Sequence, residues 1–199
     1  MEKLKILYVI NMNIEKLWHW NYPSKSFCEL EYLILANNNK LLNAISSSMI
    51  TRFKNLRKLT LDKCEILTEL FDFEDDNLDH KIHEILPQLE VLALIKLSKL
   101  KYVWNKEPQV SFFSNLVSIY IFQCDNLQSL FSLSSIKNLG KLKILRLCKY
   151  EKMEEVISSD RSEDENVSII FPKLECLVIN EGSSNIDLFL QPKVNFIFA

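Results

Sequence analysis

The chain has 199 residues, of which 48% are hydrophobic and 25% charged, and a formal net charge of −2. This is the balance of a folded globular protein with a sizeable core, and the near-neutral charge argues against nucleic acid as the main partner, because such proteins usually need a basic surface. The two glycines, Gly140 and Gly182, stand far apart and cannot form the clustered-glycine loops that bind phosphates or dinucleotides or that expose a nucleophilic serine.

The apolar residues of the chain repeat at a regular interval. Leucine accounts for 32 residues, and the frame L-x-x-L-x-L recurs at separations mostly within or near the roughly 20–29-residue period of leucine-rich repeats. The last two apolar residues of each frame are two apart, so both point to the same side of an extended strand. One repeat cannot bury them, whereas stacked repeats form a continuous leucine column with parallel strands. In chain order the frames begin at Leu4, Leu30, Leu56, Leu89, Leu116, Leu142 and Leu174, with a partial frame at Val194.

This pattern predicts an α/β repeat protein. We expect a leucine-rich-repeat solenoid in the form of an arc, with a short-stranded parallel sheet on the concave face and an irregular or short-helical convex side. The frames predict one domain, residues 1–199, of about seven repeats plus a partial C-terminal one. Cys64 and Cys124 fall at the repeat position that takes Asn or Cys, a small group under the turn.

The segments between the frames predict the convex side. Serines at 46–48 and 134–135 would cap short helices that lead into the next strand. Acidic insertions at 72–82 and 158–168 are expected to be solvated loops rather than domain boundaries, because the leucine frame resumes after each. Three phenylalanines lie three residues before a frame and are expected to pack in the core. They are Phe53, Phe113 and Phe171.

A family resemblance is carried by the segments LPQLEVLALIKLSKLKYVWNKEP, FSNLVSIYIFQCDNLQSLF, LGKLKILRLCKYEKMEEVI and FPKLECLVI, and most specifically by residues 104–108 and 124–131. The chain resembles, over nearly its whole length, the C-terminal leucine-rich repeats of plant coiled-coil nucleotide-binding disease-resistance proteins. The resemblance implies a region that recognises pathogen molecules or modified host proteins and holds a nucleotide-binding switch inactive. The switch of that family carries a G-x-x-x-x-G-K-[ST] loop, which this chain lacks. The resemblance therefore implies the sensor part without ATP-dependent signalling.

The concave face is the candidate binding surface, because the side chains that flank the inward leucines should point out onto it. These positions are unusually apolar and aromatic, and a contiguous apolar patch with tyrosines usually contacts protein. A neighbouring domain could equally cover the patch, so both interpretations predict protein binding. The predicted contact residues are Tyr32, Ile34, Lys58, Thr60, Asp62, Ser118, Tyr120, Phe122, Arg146 and Asn180, with the largest contributions expected from Tyr32, Lys58, Tyr120, Phe122 and Arg146.

Catalytic and metal chemistry find little support in the sequence. A helix would place His80 and His83 on one side, with Asp75, Asp76 and Asp79 nearby. The segment carries no hydrolytic zinc motif, however, and is better interpreted as a solvated polar flank. The five cysteines are odd in number and form no C-x-x-C pair, which predicts free thiols in a reducing cytosol. We expect no enzyme activity, no cofactor and no metal.

The sequence favours a protein-recognition module, the sensor part of a plant disease-resistance protein that lacks its nucleotide-binding domain. Two alternatives stay open: a regulatory clamp that binds and restrains a nucleotide-binding switch domain, and a non-functional truncated fragment. The expected partner is a protein, either pathogen-derived, of host origin or a nucleotide-binding domain, and neither nucleic acid nor a membrane. No apolar run approaches the ~18 residues of a membrane-spanning helix and the N-terminal apolar run is too short for a signal peptide, which predicts a cytoplasmic protein.

Overall fold

The computed structural model of the protein describes residues 1–18, 21–72, 84–103, 110–132, 139–153, 156–158, 167–182 and 194–198. Short β-strands dominate these residues, with one four-residue helix, α1 Ser47–Ile50. In chain order the strands are β1 Ile6–Ile10, β2 Tyr32–Ala36, β3 Asn43–Ser46, β4 Lys58–Asp62, β5 Glu69–Asp72, β6 Glu84–Ile85, β7 Val91–Ile95, β8 Ser111–Phe112, β9 Ser118–Phe122, β10 Phe131–Ser132, β11 Ile144–Tyr150, β12 Ile157–Ser158, β13 Val167–Phe171, β14 Cys176–Gly182 and β15 Val194–Phe198.

Seven of these strands form one parallel sheet, which we call the main sheet, in the order β1-β2-β4-β7-β9-β11-β14. The leucine frames align across it: Leu33 of β2 lies opposite Leu59 of β4, and Leu59 lies opposite Leu92 of β7. Each repeat therefore forms one coil of the solenoid and contributes one strand to the main sheet. We number the coils 1 to 7 by these strands, from β1 to β14. The predicted leucine-rich-repeat solenoid with its parallel sheet is confirmed, while the α/β class and the arc with its convex side remain predictions.

The inward side chains of the main sheet form the core. From β2 to β11, the second and third apolar residues of every frame are at most 1% exposed. Leucines at later steps of three, such as Leu67 and Leu100, are buried with them. Burying one leucine side chain contributes roughly 1.5–3 kcal/mol, so this column makes a large contribution to the hydrophobic stabilisation. It also fixes the register, since a slip by one residue would turn the leucines outward.

A turn leads into each of these strands. The N–H of the first leucine of the frame donates to the carbonyl three residues earlier, as from Leu56 to Phe53 at 3.2 Å and from Leu116 to Phe113 at 2.9 Å. Phe113 has a positive φ of 58°. The three phenylalanines predicted to pack in the core, Phe53, Phe113 and Phe171, are each at most 2% exposed.

Shorter parallel strand pairs join successive coils away from the main sheet. They are β3 with β5, β6 with β8, β10 with β12 and β13 with β15, and isolated bridges link Glu69 to Tyr102 and Tyr102 to Ser129. Helix α1 begins within the predicted serine cluster, at Ser47, but its N-cap Ser46 makes no side-chain cap hydrogen bond. The Ser46 hydroxyl instead lies 3.0 Å from that of Ser48. The second serine pair, 134–135, lies outside the described residues.

Most of the two predicted acidic insertions, 72–82 and 158–168, also lies outside the described residues. Their described ends are strand residues: Asp72 is the last residue of β5, Ser158 the last of β12, and Val167 the first of β13. The extent of the single domain, 1–199, remains a prediction.

Candidate functional site

The side of the main sheet opposite the leucine column is its outer face, and the strand register arranges its side chains in three straight rows. The rows arise because alternate residues of a strand point to opposite sides of the sheet. From β1 to β14 the first row is Ile6, Tyr32, Lys58, Val91, Ser118, Ile144 and Cys176; the second is Tyr8, Ile34, Thr60, Ala93, Tyr120, Arg146 and Val178; and the third is Ile10, Ala36, Asp62, Ile95, Phe122, Cys148 and Asn180.

The structure places all ten predicted contact residues in these rows, but they are not equally accessible. Arg146 and Asn180 are exposed, and most of the others are half-buried. Ser118 is only 6% exposed and Ala93, on the neighbouring strand, only 7%. These two small side chains are buried at the centre of the outer face, so Ser118 itself has little surface that a partner could contact. That any of the ten binds a partner remains a prediction.

The most exposed large hydrophobic side chains of the outer face are not among those ten. They are Ile6, Tyr8 and Ile10, and Tyr8 is 62% exposed. Among the strands that the structure describes, β1 lies at an edge of the main sheet and pairs with β2. These residues hold the same frame positions as Tyr32, Ile34 and Ala36 in the next coil, so the leucine frame was a sufficient signal for finding them.

Two cations lie over aromatic rings in the C-terminal half of the outer face. The guanidinium carbon of Arg146 is 5.8 Å from the ring centroid of Tyr120, one strand away in the second row. The ammonium of Lys149 is likewise 5.8 Å from the ring centroid of Phe122. Attraction between a cation and the face of a ring restrains both side chains. This half of the outer face is therefore a restrained aromatic platform with positive charge.

Coil 3 places three polar side chains on the outer face, Lys58, Thr60 and Asp62. Among the residues that the structure describes, the Thr60 Oγ1 and Asp62 Oδ1 atoms are buried without a hydrogen-bond partner. A buried acceptor left unpaired costs about 1–3 kcal/mol. Both side chains belong to the outer face, so a bound partner that brings hydrogen-bond donors could relieve this cost after a side-chain rotation.

A row of side chains that are charged in every coil except coil 5, which we call the charge ladder, runs along the edge where the main-sheet strands begin. Its members directly precede each strand and alternate in sign, and three ion pairs join neighbours at N···O distances of 2.6 to 2.9 Å. The hydrogen bond to Glu90 and its charge raise the pKa of Arg57, and Glu31 does the same for Lys5. The sequence reasoning missed this ladder. From coil 1 to coil 7 it consists of Lys5, Glu31, Arg57, Glu90, Val117, Lys143 and Glu175.

The opposite edge of the main sheet is closed by turns, which we call the exit turns. The first residue of each has a positive φ of 51° to 57°. Its backbone N–H donates to a third-row carbonyl of the next coil, as from Asn37 to Asp62 at 2.9 Å and from Lys96 to Phe122 at 2.7 Å. These residues are Asn11, Asn37, Lys63, Lys96, Gln123 and Lys149.

A small buried group follows several exit turns, at the position predicted to take Asn or Cys. Asn38 is fully buried, and its amide donates to the Val9 carbonyl at 2.8 Å and accepts from the Met12 N–H at 2.9 Å. Cys64 and Cys124 are equally buried, and the Cys124 thiol donates to a carbonyl of the preceding coil at 3.5 Å. Burial raises the pKa of Cys64, and raises the pKa of Cys124 to about 12, so both are protonated at neutral pH.

The described parts of the chain contain no group of three or more His, Cys, Asp or Glu side chains that could hold a metal ion. The histidine and aspartate cluster considered from the sequence, His80 and His83 with Asp75, Asp76 and Asp79, lies outside the described residues. All five cysteines are free. Within the residues that the structure describes, no helix has the length and apolar character that crossing a membrane requires.

Residues 2–151 match the family described as plant disease resistance protein RPS2-like, leucine-rich repeats. The chain belongs to this family. The matched residues include six of the seven main-sheet strands, β1 to β11, and the resemblance to the repeats of plant resistance proteins is confirmed. No curated protein and no solved structure gave a match.

Membership in the RPS2-like repeats supports a protein-recognition role. Leucine-rich-repeat domains generally mediate contacts between proteins, and a solenoid of this kind is generally a binding module rather than an enzyme. The parallel sheet, its three outward rows and the family assignment thus point to the same class of function.

Proposed function

We propose that the outer face of the main sheet binds a protein, and that this binding is the recognition step of a plant disease-resistance protein. One observation carries the proposal: aromatic and aliphatic side chains, among them Tyr8, Tyr120 and Phe122, remain at least partly accessible on the outer face of the seven-stranded sheet. A solenoid needs apolar side chains on its inner side only, so apolar residues such as Tyr8 and Phe122 on the outer side are not required by the fold. Contiguous accessible patches of this kind are typical of protein-contact surfaces.

The chemistry of the face indicates what such a partner presents. Its N-terminal part offers aliphatic and tyrosine side chains, and its C-terminal part offers the cationic aromatic platform of Tyr120 and Arg146. Coil 3 between them carries the buried, unpaired oxygens of Thr60 and Asp62, which a partner reaches after a side-chain rotation. A partner surface with apolar side chains around a few hydrogen-bond donors fits this order. Because Tyr120 and Arg146 already restrain each other, they lose little conformational entropy on binding.

Two kinds of partner fit within this proposal. A pathogen-derived or host protein on this face would make the chain a sensor, in the cytoplasm as for other intracellular receptors. A nucleotide-binding domain on the same face would make it a regulatory clamp. Both use the same contact residues, so one set of substitutions tests the surface before the partner is known.

Selection of a phage-displayed random-peptide library on the immobilised chain tests the surface directly. We expect the recovered peptides to lose at least about tenfold in affinity for a Tyr120→Ala plus Phe122→Ala variant, because truncating central aromatic contacts removes the largest share of interface energy. Thermal unfolding of the variant should stay close to that of the parent chain, since both side chains are half-buried at most.

A matched control removes an aromatic ring elsewhere. Tyr102 is exposed on the bridge that links coils 3 to 5, away from the main sheet, and Tyr102→Ala should leave peptide affinity unchanged. Equal binding of the selected peptides to the parent chain and to the double variant would refute the proposed surface.

A further inference from the structure

The three rows of the outer face contain one acidic residue, Asp62, and two basic ones, Lys58 and Arg146. Asp62 takes part in none of the ion pairs found among the described residues. Its Oδ1 atom is buried without a hydrogen-bond partner, and so is the Oγ1 atom of Thr60, two residues earlier on the same side of β4. Coil 3 therefore carries two neighbouring oxygen atoms that the described part of the chain leaves unpaired.

These two oxygen atoms lie close enough to bind one group. Residues two apart on a strand are separated by about 6.7 Å, so a group with several N–H donors reaches both side chains once they rotate toward it. The Asp62 carboxylate accepts hydrogen bonds and cannot donate, while the Thr60 hydroxyl can do either. A cationic donor is the strongest partner for this pair, because a hydrogen bond between two ionised groups is roughly twice as strong as a neutral one.

The surroundings of the two polar residues suit a long side chain with an apolar stem. Each of the two has an alanine on one neighbouring strand, which leaves space above it, and an isoleucine on the other. For Asp62 these are Ala36 and Ile95, and for Thr60 they are Ala93 and Ile34. Lysine and arginine pack their aliphatic stems along apolar surfaces of this kind while their charged ends reach polar groups.

We propose that the partner places a basic side chain, lysine or arginine, between Thr60 and Asp62, and that this contact fixes the orientation of the partner on the outer face. The inference rests on the proposed function, since it names a contact within the same surface. Acidic groups of the partner have two alternative positions in the three rows, Lys58 and Arg146, whereas a basic group has only Asp62. The basic side chain is therefore the one that selects a single arrangement.

The peptides recovered from the phage-displayed library test this contact. Among those that lose affinity for the Tyr120→Ala plus Phe122→Ala variant, we expect most to carry a basic residue whose replacement by glutamine weakens binding by about tenfold or more. Asp62→Asn should cause a similar loss with the unchanged peptide. Because both changes remove the same contact, the two together should cost little more than either one alone.

A charge reversal and a matched control complete the binding experiment. Selection on an Asp62→Lys variant should replace the basic residue of the peptides with aspartate or glutamate. Glu65→Gln removes a negative charge from an exposed residue of the same coil outside the three rows, and should leave peptide affinity unchanged. Peptides that depend on Tyr120 and Phe122 but bind the parent chain and Asp62→Asn equally would overturn this inference and leave the proposed function standing.

Thermal unfolding without any partner tests the unpaired state itself. Thr60→Val removes the hydroxyl and keeps the branched shape, so it should raise the melting temperature by about 2 °C or more, because a buried oxygen without a partner is lost. Thr68→Val makes the same change on an exposed residue of coil 3 outside the main sheet and should have little effect. A melting temperature that does not rise in Thr60→Val would show that the hydroxyl is already satisfied in the folded chain, and would overturn the inference independently of peptide binding.

Discussion

The two edges of the main sheet join the same coils by different chemistry. At the edge where strands begin, the charge ladder uses long, exposed side chains in ion pairs such as Arg57 with Glu90. At the other edge, the exit turns use backbone hydrogen bonds, followed by buried groups such as Asn38 and Cys124 that bond to the preceding coil. Exposed ion pairs contribute little to stability, whereas a buried polar group that loses its partner costs much more. The exit turns should therefore tolerate substitution far less well than the ladder.

The largest difference is expected at Asn38. Asn38→Ala removes the hydrogen bonds to the Val9 carbonyl and the Met12 N–H and leaves both groups without this partner, which should reduce the free energy of unfolding by about 2–4 kcal/mol. Urea denaturation measures this loss. Asn39→Ala is the matched control, because Asn39 is the exposed next residue, and should change stability little. A loss at Asn38 no greater than at Asn39 would contradict the assigned role of the exit turn.

An intermediate effect is expected from the buried thiol of Cys124 at alkaline pH. Its pKa is raised from 9.0 to about 12 by burial, so above pH 9 the thiol ionises in the unfolded chain but not in the folded one. The contribution of the protonated Cys124 thiol to the free energy of unfolding is complete below pH 9. It falls by up to about 1.4 kcal/mol per pH unit between pH 9 and pH 12.

Denaturation at pH 8, 9 and 10 tests this dependence by comparing the parent chain with Cys124→Ala. The variant should lose less stability between pH 9 and pH 10 than the parent. Cys176→Ala controls for the loss of a thiol on the outer face. Parallel pH profiles for the parent and the Cys124→Ala variant would show that the thiol does not titrate as its burial implies.

The smallest effect is expected in the charge ladder. Arg57→Gln removes one exposed ion pair with Glu90 but keeps the aliphatic stem, and should lower the melting temperature by less than about 3 °C. Scanning calorimetry at low and high salt measures the change, and the difference from the parent should shrink as salt screens the pair. A drop in melting temperature larger than the one caused by Asn38→Ala would contradict the expectation that the exit turns tolerate substitution less well than the charge ladder.

The leucine frame predicted the main sheet because one physical requirement, burial of paired apolar residues, recurs in every repeat. It placed Leu59 and Leu92 in neighbouring strands with no reference to the chain between them. The charge ladder was readable by the same means, since its members directly follow the first leucine of each frame. It was missed because apolar periodicity alone was followed.

Other features depend on neighbours that the sequence does not reveal. Sequence rules favour Gly or Asn where φ is positive, yet Lys63 and Lys96 hold positive φ because each N–H is fixed by the next coil. Ser118 is an outward strand position by the two-residue alternation of its strand, but it is only 6% exposed. The accessibility of a side chain in the candidate site therefore depends on how its neighbours pack, and the two-residue alternation along a strand does not predict it.

The neutral member of the charge ladder, Val117, has a consequence for how such a chain can gain or lose repeats. Coils 1 to 4 carry the signs plus, minus, plus, minus, and coils 6 and 7 carry plus and minus, so each block is balanced by itself. Loss of coil 2 alone would bring Lys5 against Arg57, two like charges, whereas loss of coils 2 and 3 together would bring Lys5 against Glu90. Within the charged block of coils 1 to 4, removal of two adjacent coils therefore keeps the alternation of sign, whereas removal of one interior coil does not.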